Sequence, residues 1–316
     1  MPVFQADELS NKTLILFFER RNEGIADNVK KTLMQCQGQM GMKSRPIQTF
    51  MLPDVRQNWA RMEQAVDKYF NQLKQESGVK DSRQYFGLML LNHENDYPEV
   101  KKIFSRLNIM TQCIKSFTAK KMNMSVASNI MKQVNSKVGG ESLRVKLPEF
   151  MHKEKVMVIG IDVCHAGKKS VVGFIASTNK HQTSYYSDII IQAKNQELVK
   201  KDLDRCLIEA IKAFQINHGD KPTKIVIYRD GVGAEMRDQI IEKEVGQFKE
   251  ALKPLYNQVS GPPPITLVVV NKRINQRMFI TGRDGKAENP QPGSIIDSKL
   301  IEYNKGTEQF DFYLVP

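Results

Sequence analysis

The chain has 316 residues, 41% of them hydrophobic and 26% charged, a composition typical of a globular protein with room for two ordinary domains. Lys and Arg outnumber Asp and Glu by 47 to 35, so the net charge is +12 and a polyanionic partner is favoured. The longest apolar runs fall far short of the roughly 20 residues that span a bilayer, the N-terminus lacks the apolar stretch of a signal peptide, and the cysteines form no CxxC pair. We therefore expect an intracellular protein of the nucleus or cytoplasm, with no membrane partner and no zinc site.

The first 138 residues alternate between apolar strand candidates and segments of helical character. The strand candidates are residues 13–18, 46–52, 85–92 and 110–115. Strands that alternate with helices predict an α/β domain with a mainly parallel, Rossmann-like sheet. Ligands of such sheets collect at the carboxyl ends of the strands, where helix N-termini offer free backbone N–H groups. The pattern thus predicts a Rossmann-like domain over residues 1–138 with a geometry suited to phosphate.

Positive charge is concentrated near the end of this domain. Residues 97–140 contain eight Lys or Arg side chains and a single acidic residue, Glu99. A solvated helix face is the ordinary explanation of a charge run, and an anion-binding surface is the alternative.

The periodicity fades over residues 139–154, where glycine, proline and charged residues gather, and this predicts a linker. Three strands with short turns then suggest antiparallel pairing, at residues 155–163, 170–178 and 184–192. The next predicted elements are a helix over 196–214, a strand over 224–230, a helix over 234–254 and a strand over 265–271. This order is that of the ribonuclease H fold, which we predict for residues 155–316.

Three acidic residues of the second domain stand where metal chemistry is expected. Asp162 and Asp230 close the first and fourth predicted strands, and Glu197 lies in the opening turn of the predicted helix. Neighbouring strands would bring the two aspartates within reach of one divalent ion, and carboxylate oxygens suit Mg²⁺ or Mn²⁺. Two such ions can activate water and stabilise the leaving oxygen of a phosphodiester. Each acid alone is more ordinarily a cap or turn residue, so the pattern by itself predicts only a metal-dependent, nuclease-like domain.

The segments around these acids resemble the Piwi domain of Argonaute and Piwi proteins. The matching segments are GIDVCHAGKKSVVGFIAS (160–177), NQELV (195–199), KIVIYRDGV (224–232), ITLVVVNKRINQRMF (265–279) and DFYLVP (311–316). The resemblance implies that Asp162, Glu197 and Asp230 are three of four catalytic ligands of a Mg²⁺ or Mn²⁺ pair. It also implies that Glu197 is a mobile glutamate, which completes the site when guide and target are bound.

The fourth family ligand, a His or Asp, follows the position of DFYLVP, so the resemblance implies a ribonuclease H-like domain that is C-terminally incomplete here. We therefore expect little cleavage by this fragment alone. The basic segment after residue 271 offers weaker candidates for nucleic-acid backbone contacts, namely Lys272, Arg273 and Arg277.

The basic block of the first domain resembles the Mid domain's pocket for the 5′ phosphate of a guide RNA. The matching segments are YPEVKKI (97–103), MTQCIK (110–115) and MKQVNSKVGGE (131–141). By position, the resemblance implies that Tyr97 stacks on the first base and that Lys101 and Lys137 neutralise the phosphate. It further implies that Gln112 hydrogen-bonds the phosphate. Gln133 stands where the Argonaute branch usually has lysine, as in the Piwi branch, and this implies a further Mg²⁺ ion held partly by Gln133.

Two functions of the full-length protein remain open on this reading. In the first, it binds a small guide RNA by the 5′ phosphate and cleaves a complementary target RNA with metal ions. In the second, it binds the guide and silences without cleavage. A ribonuclease H-like nuclease or transposase fused to a nucleotide-binding domain is disfavoured by the pocket motif. We expect a monomer whose partners are the guide and target RNAs.

Overall fold

The computed structural model describes residues 7–42, 45–53, 58–78, 81–231, 233, 236–256, 261–272, 274–297 and 311–316. Within those ranges the chain forms a four-stranded sheet, a five-stranded sheet and two short strand pairs, with helices between the strands. Every helix there is too short or too polar to cross a membrane. The predicted α/β fold class is confirmed.

The first sheet contains four parallel strands in the order β2-β1-β3-β4. The strands are β1 (Thr13–Glu19), β2 (Gln48–Leu52), β3 (Tyr85–Leu91) and β4 (Met110–Lys115). All seven residues of β3 are buried, as expected for a central strand of a parallel sheet that is covered on both faces. The Rossmann-like prediction holds, and β4 is left as an edge strand.

Helices cover both faces of this sheet. They are α1 (Asp7–Ser10), α2 (Glu23–Gln39), α3 (Trp59–Ser77), α4 (Tyr97–Arg106), α5 (Ser116–Lys120) and α6 (Met124–Lys137). Buried residues of α2 and α6 share one core with the sheet, and those of α3 and α4 share another. The side chain of Asn123 accepts a hydrogen bond from the Val126 N–H and so caps the start of α6. Because α4 and α6 belong to different cores, they approach the edge strand β4 from opposite faces of the sheet.

The second sheet has five strands in the order β7-β6-β5-β8-β9. They are β5 (Val156–Ala166), β6 (Lys169–Ser177), β7 (Tyr185–Ala193), β8 (Lys224–Asp230) and β9 (Ile265–Val270). Strands β5, β6 and β7 pair antiparallel, β8 runs parallel to β5, and β9 runs parallel to β8. This is the predicted ribonuclease H-like order.

The helices of the second half are α7 (Glu149–Lys153), α8 (Leu203–His218), α9 (Arg237–Gln239), a π-helix (Ile240–Val245) and α10 (Gly246–Leu252). Residues of α8 and α10 form one core with β5, β6 and β8 on a single face of the sheet. The opposite face leaves apolar side chains exposed, at Ile175, Ile189, Ile191 and Tyr228. Two-residue strands pair Ile280–Thr281 with Ala287–Glu288 and Ile295–Ile296 with Tyr313–Leu314.

Two predicted elements differ from the structure. The helix predicted over 196–214 begins only at Leu203, so Glu197 lies in a loop and not in a helical turn. Left-handed backbone at Asn195 (φ 57°) and Asp202 (φ 70°) keeps the segment between them out of a helix. The second predicted helix, over 234–254, is not one continuous α-helix. Residues 234–235 lie outside the described residues, and the π-helix Ile240–Val245 separates α9 from α10. The predicted linker contains α7.

Candidate functional site

Asp162 and Asp230 lie side by side on neighbouring strands. Strands β5 and β8 pair in parallel up to Ile161 and Arg229, and each aspartate is the next residue along its strand. Because laterally adjacent residues point to the same face of a sheet, the two carboxylates emerge on the face opposite Ile161 and Arg229. Asp162 is exposed, and the side chain of Asp230 is 23% exposed.

A lysine occupies the space in front of these aspartates. The Lys272 Nζ forms a short ion pair with Asp230 Oδ2. The hydrogen bond and the charge of Asp230, with a smaller contribution from the charge of Asp162, raise the pKa of Lys272. The ammonium group is therefore stabilised by both carboxylates. The site that the two aspartates form on strands β5 and β8 thus attracts a cation.

A fully buried arginine, Arg229, contacts both Glu197 and the backbone of Asp230. The Arg229 Nη2 donates to the backbone oxygen of Glu197 at 2.8 Å and lies 3.1 Å from its Oε1. The Nη1 of the same guanidinium donates to the backbone oxygen of Asp230 at 2.6 Å. On the other side of the carboxylate, His165 Nε2 lies 3.4 Å from Glu197 Oε2, and His165 Nδ1 is hydrogen-bonded to Ser170 Oγ at 2.8 Å. Because Arg229 and His165 lie on the face of the sheet that the helices cover, the Glu197 carboxylate is held on that face, and the Asp162 and Asp230 carboxylates emerge on the other.

The motif around the acids did not single out Arg229 or His165. A signal for Arg229 was present, because it follows Ile225 and Ile227 at the alternation of a strand, on the face that the helices cover. A charged residue at such a position needs a buried partner. Its partner is Glu244, which is 2% exposed and accepts from Arg229 Nε at 3.0 Å.

The donor chemistry at this edge fits a divalent ion only in part. Asp162 and Asp230 supply hard carboxylate oxygens at one level of the sheet, and Asp230 already binds the ammonium of Lys272. In the part of the chain that the structure describes, no three His, Cys, Asp or Glu side chains are close enough to hold one metal ion. Of the predicted ligand set, the structure therefore brings Asp162 and Asp230 together, whereas the Glu197 carboxylate lies on the other face of the sheet.

The remaining basic candidates beside β9 have separate outcomes. Lys272 contacts Asp230, as described above. Arg273 lies outside the described residues. Arg277 is exposed, and its Nη1 donates to the backbone oxygens of Ile274 and Gln276 at 2.7 and 3.0 Å, within its own loop.

A second cluster lies along the edge strand β4. The Lys101 Nζ donates to the backbone oxygen of Thr111 at 2.9 Å and to its Oγ1 at 2.8 Å. The Lys137 Nζ donates to the same backbone oxygen at 2.9 Å and to Gln112 Oε1 at 2.8 Å. One carbonyl thus brings two ammonium groups from α4 and α6 together.

The proximity of the two lysines has an electrostatic cost. Burial of the ammonium group, and next the charge of Lys101, lower the pKa of Lys137. Removal of water and repulsion between like charges both disfavour the protonated lysine, and an anion between the two groups would offset both. The cluster is therefore suited to a phosphate.

The other pocket candidates lie around this pair. Tyr97 is the first residue of α4 and is 48% exposed, and its ring centroid is 5.9 Å from Lys101 Nζ. Gln133 is exposed on α6, four residues before Lys137, so both project from the same side of the helix. The structure thus joins Tyr97, Lys101, Gln112 and Lys137 in one surface cluster with Gln133 nearby.

The position of this cluster differs from the general expectation for a parallel sheet. Thr111 is the second residue of β4, so the lysines meet near the amino end of the strand and not at its carboxyl end. The reason is that, among the described strands, β4 lies at the edge of its sheet, and no described strand pairs with its outward carbonyl groups. The free carbonyl of Thr111 supplies the acceptor on which both lysines converge.

Comparisons with known proteins agree with this architecture. A family model of the Piwi domain matches residues 86–316. Piwi-like protein 1 of Danio rerio is 30% identical over 321 residues, which cover 100% of this chain and 34% of that protein. The chain thus spans about a third of the length of this curated relative.

Solved structures give the same result for the fold. Drosophila Piwi is 27% identical, with a TM-score of 0.78 over 99% of this chain and 40% of that one. The Kluyveromyces polysporus Argonaute, solved with a guide RNA, has a TM-score of 0.67 at 19% identity, covering 90% of this chain and 36% of that one. The chain therefore belongs to the Piwi domain family, within the Argonaute and Piwi superfamily.

Proposed function

We propose that the chain is the guide-binding and catalytic half of an RNA-guided silencing protein. The cluster of Tyr97, Lys101, Gln112 and Lys137 binds the 5′ phosphate of a small guide RNA, and Asp162, Glu197 and Asp230 serve cleavage of a complementary target RNA. The observation that carries the first part is the convergence of Lys101 and Lys137 on one carbonyl oxygen. The Argonaute of Kluyveromyces polysporus, which shares this fold, holds a guide RNA.

The chemistry of guide binding follows from the cluster. A terminal phosphate carries more charge than an internal phosphodiester, so two close ammonium groups favour a 5′ end over the middle of a strand. The exposed ring of Tyr97 offers a face on which the first base can stack. The side-chain amide of Gln112 can donate to a phosphate oxygen after leaving its present acceptor, the backbone oxygen of Cys113 at 3.0 Å.

A further divalent ion beside Gln133 is part of the proposal. An ion in the pocket would be repelled by Lys101 and Lys137 unless the phosphate were bound with it. Guide phosphate and Mg²⁺ should therefore bind together, with the amide oxygen of Gln133 as one ligand. Titration of a 5′-phosphorylated guide with and without Mg²⁺ tests this, because Gln133→Ala should remove most of the Mg²⁺ dependence while leaving metal-free binding unchanged. Equal Mg²⁺ dependence in both proteins would contradict the assignment.

Guide binding can be tested with the 316-residue chain. We expect Lys137→Ala to weaken binding of a 5′-phosphorylated RNA by about tenfold or more, and to change binding of the 5′-hydroxyl RNA much less. Lys102→Ala is the matched control, since Lys102 lies on α4 next to Lys101 but pairs with Glu99 at 3.5 Å on the surface. Equal losses for both RNAs in the Lys137 variant would refute the pocket.

For cleavage, Asp162, Glu197 and Asp230 would hold Mg²⁺ or Mn²⁺, which supplies an activated water and stabilises the leaving oxygen. Arg229 binds the backbone oxygens of Glu197 and Asp230, Lys272 neutralises Asp230 when no metal ion does so, and Glu197 would have to move to join the two aspartates. In the full-length protein loaded with guide, Asp230→Ala should abolish cleavage of target RNA and leave guide binding intact.

A silencing protein that binds its guide without cleavage is the second candidate. It is favoured by the pairing of Lys272 with Asp230 and by the open ligand set among the described residues. The Asp230→Ala comparison separates the two, because a non-cleaving protein would show the same absence of cleavage in the wild type and in the variant.

A further inference from the structure

Helix α6 ends in a tight reversal of the chain. The Gly139 N–H donates to the Ser136 oxygen at 3.2 Å, and the Gly140 N–H donates to the Asn135 oxygen at 2.8 Å. This pair of bonds is the Schellman motif, which needs the positive φ that Gly139 adopts (φ 94°). Because the motif closes the chain against the helix end, the next residue, Glu141, is held close to the last turn of α6.

Glu141 is a buried carboxylate with two partners in the half of the chain that forms the five-stranded sheet. The residue is 6% exposed, and its Oε1 accepts from Asn179 Nδ2 at 3.0 Å and from Thr183 Oγ1 at 2.7 Å. Its Oε2 accepts from Arg144 Nε. Burial by itself would raise the pKa of the Glu141 carboxyl, but the hydrogen bonds from Thr183 and Arg144 and the charge of Arg144 lower it. The carboxylate therefore stays ionised where it is buried, and both of its oxygens accept hydrogen bonds.

The two partners lie in the turn that joins β6 to β7, the β6–β7 turn. The Asn179 Oδ1 accepts from the backbone N–H groups of Thr183 and Ser184 at 2.9 and 3.2 Å, which closes the turn on itself. The Gln182 Nε2 donates to the oxygen of Val156, the first residue of β5, at 3.0 Å. The turn is thus attached to the five-stranded sheet, and the buried carboxylate fastens the end of α6 to that sheet.

The phosphate cluster depends on where α6 ends. Lys137 is the last residue of α6, and its Nζ meets the Thr111 oxygen and Gln112 Oε1 on β4. Helix ends fray, because their last carbonyl groups have no partner within the helix. Burial and the charge of Lys101 disfavour the Lys137 ammonium group in the cluster, so its position there depends on an anchored helix end. The bonds of Glu141 supply such an anchor.

We propose that Glu141 is a positioning residue of the phosphate cluster, whose bonds to the β6–β7 turn hold the end of α6, and hence Lys137, in place; this rests on the proposed function. The half of the chain with the five-stranded sheet thereby contributes to binding of the 5′ phosphate through a hydrogen-bonded carboxylate.

The sign of the effect separates positioning from plain electrostatics. An acidic side chain repels RNA, so its removal strengthens RNA binding where charge alone matters. Loss of positioning weakens binding instead, and it does so for RNA with a 5′ phosphate in particular. The two explanations thus predict opposite changes for the same substitution.

RNA binding by the 316-residue chain tests the positioning role. Glu141→Gln keeps the shape of the side chain and removes one negative charge. We expect this variant to bind a 5′-phosphorylated RNA about three- to tenfold more weakly than the wild type, with little change for the 5′-hydroxyl RNA. Glu149→Gln is the matched control, because it removes the same charge from an exposed ion pair with Lys153 in the predicted linker. Unchanged or tighter binding of the phosphorylated RNA by Glu141→Gln would overturn the positioning role.

A variant on the other side of the contact gives a second test. Thr183→Val removes the hydroxyl that donates to Glu141 and keeps every charge and nearly all of the volume. It should weaken binding of the phosphorylated RNA about two- to fivefold. Thr266→Val is the control, since Thr266 is exposed on β9. Equal affinities of the two threonine variants would overturn the role of the β6–β7 turn.

Hydrogen exchange tests the attachment without RNA. The Gly139 and Gly140 amides should exchange about tenfold or more faster in a folded Glu141→Gln variant than in the wild type. Unchanged exchange of both amides would overturn the attachment. Faster exchange with an unchanged preference for the 5′ phosphate would overturn the positioning role and keep the attachment.

Failure of the proposed function gives a different result. The wild-type chain would then bind 5′-phosphorylated and 5′-hydroxyl RNA equally, while the Gly140 amide would still exchange faster in Glu141→Gln. That outcome would overturn the phosphate pocket, and with it the positioning role.

Discussion

Removal of the Arg229 side chain should lower the free energy of unfolding of the part that contains the five-stranded sheet more than almost any other single change. Arg229→Met leaves Glu244, which is 2% exposed, as a buried carboxylate without its charged partner. Breaking a buried ion pair from one side costs about 3–5 kcal/mol. The bonds to the backbone oxygens of Glu197 and Asp230 are lost as well, so we expect the upper part of this range.

The double variant Arg229→Met/Glu244→Leu provides the decisive comparison. Replacing both partners of a buried pair by apolar residues removes the unpaired charge, and it should recover part of the about 3–5 kcal/mol lost in Arg229→Met, less the cost of the Val199 N–H that Glu244 no longer accepts from. Urea unfolding followed by far-UV circular dichroism measures both free energies of unfolding. The only tryptophan, Trp59, lies on α3, which packs on the four-stranded sheet. Its fluorescence is an internal control, because the unfolding that it reports should be less affected by the Arg229 substitution.

Two results would refute this reasoning. A cost below about 1 kcal/mol for Arg229→Met would mean that Glu244 is not a buried charge in solution. Additive losses in the double variant would mean that the two side chains do not interact.

Three further outcomes can be checked separately. Because burial and the charge of Lys101 lower the pKa of Lys137, this lysine loses its proton before exposed lysines do. Affinity for a 5′-phosphorylated 2′-O-methyl oligonucleotide of A and C should fall as the pH rises towards the ordinary lysine range, and Lys137→Arg should abolish that fall. Lys272→Met should raise Mn²⁺ affinity about two- to tenfold in calorimetry, since it removes a competing cation from Asp230, and a loss of affinity would contradict this. Gly140→Ala should cost about 1–3 kcal/mol in thermal unfolding, because an added Cβ would lie 2.3 Å from the buried Asn135 side chain.

Much of the fold was predictable because each strand corresponds to a local run of apolar residues in the sequence. The central strand β3 is a continuous run of buried, mostly apolar residues, which indicates a strand covered on both faces, whereas the alternating burial of β5 indicates a strand covered on one face. The alternation of strands and helices then left few topologies for either sheet. Asp230 closes β8 as predicted, but the prediction that Asp162 closes its strand is wrong, because β5 continues to Ala166 in its pairing with β6.

The predicted helix at 196–214 failed for a tertiary reason. Val199 is spaced from Leu203 and Leu207 as if on one helix face, and all three are fully buried. Val199 is buried, however, because Glu244 and Gln247 bind its backbone groups, while Leu198 packs with Ile240. Burial periodicity cannot distinguish a helix from a docked loop when distant residues supply the contacts.

By itself the sequence determined the two sheets, the position of Asp230 at the end of its strand and the family to which the chain belongs, because each depends on contiguous residues. Tertiary structure alone decided that Lys101 and Lys137 share the carbonyl of Thr111, and that Arg229 and Glu244 hold Glu197. These contacts join residues far apart in the chain, and their energy comes from burial and charge that exist only once the domains are folded.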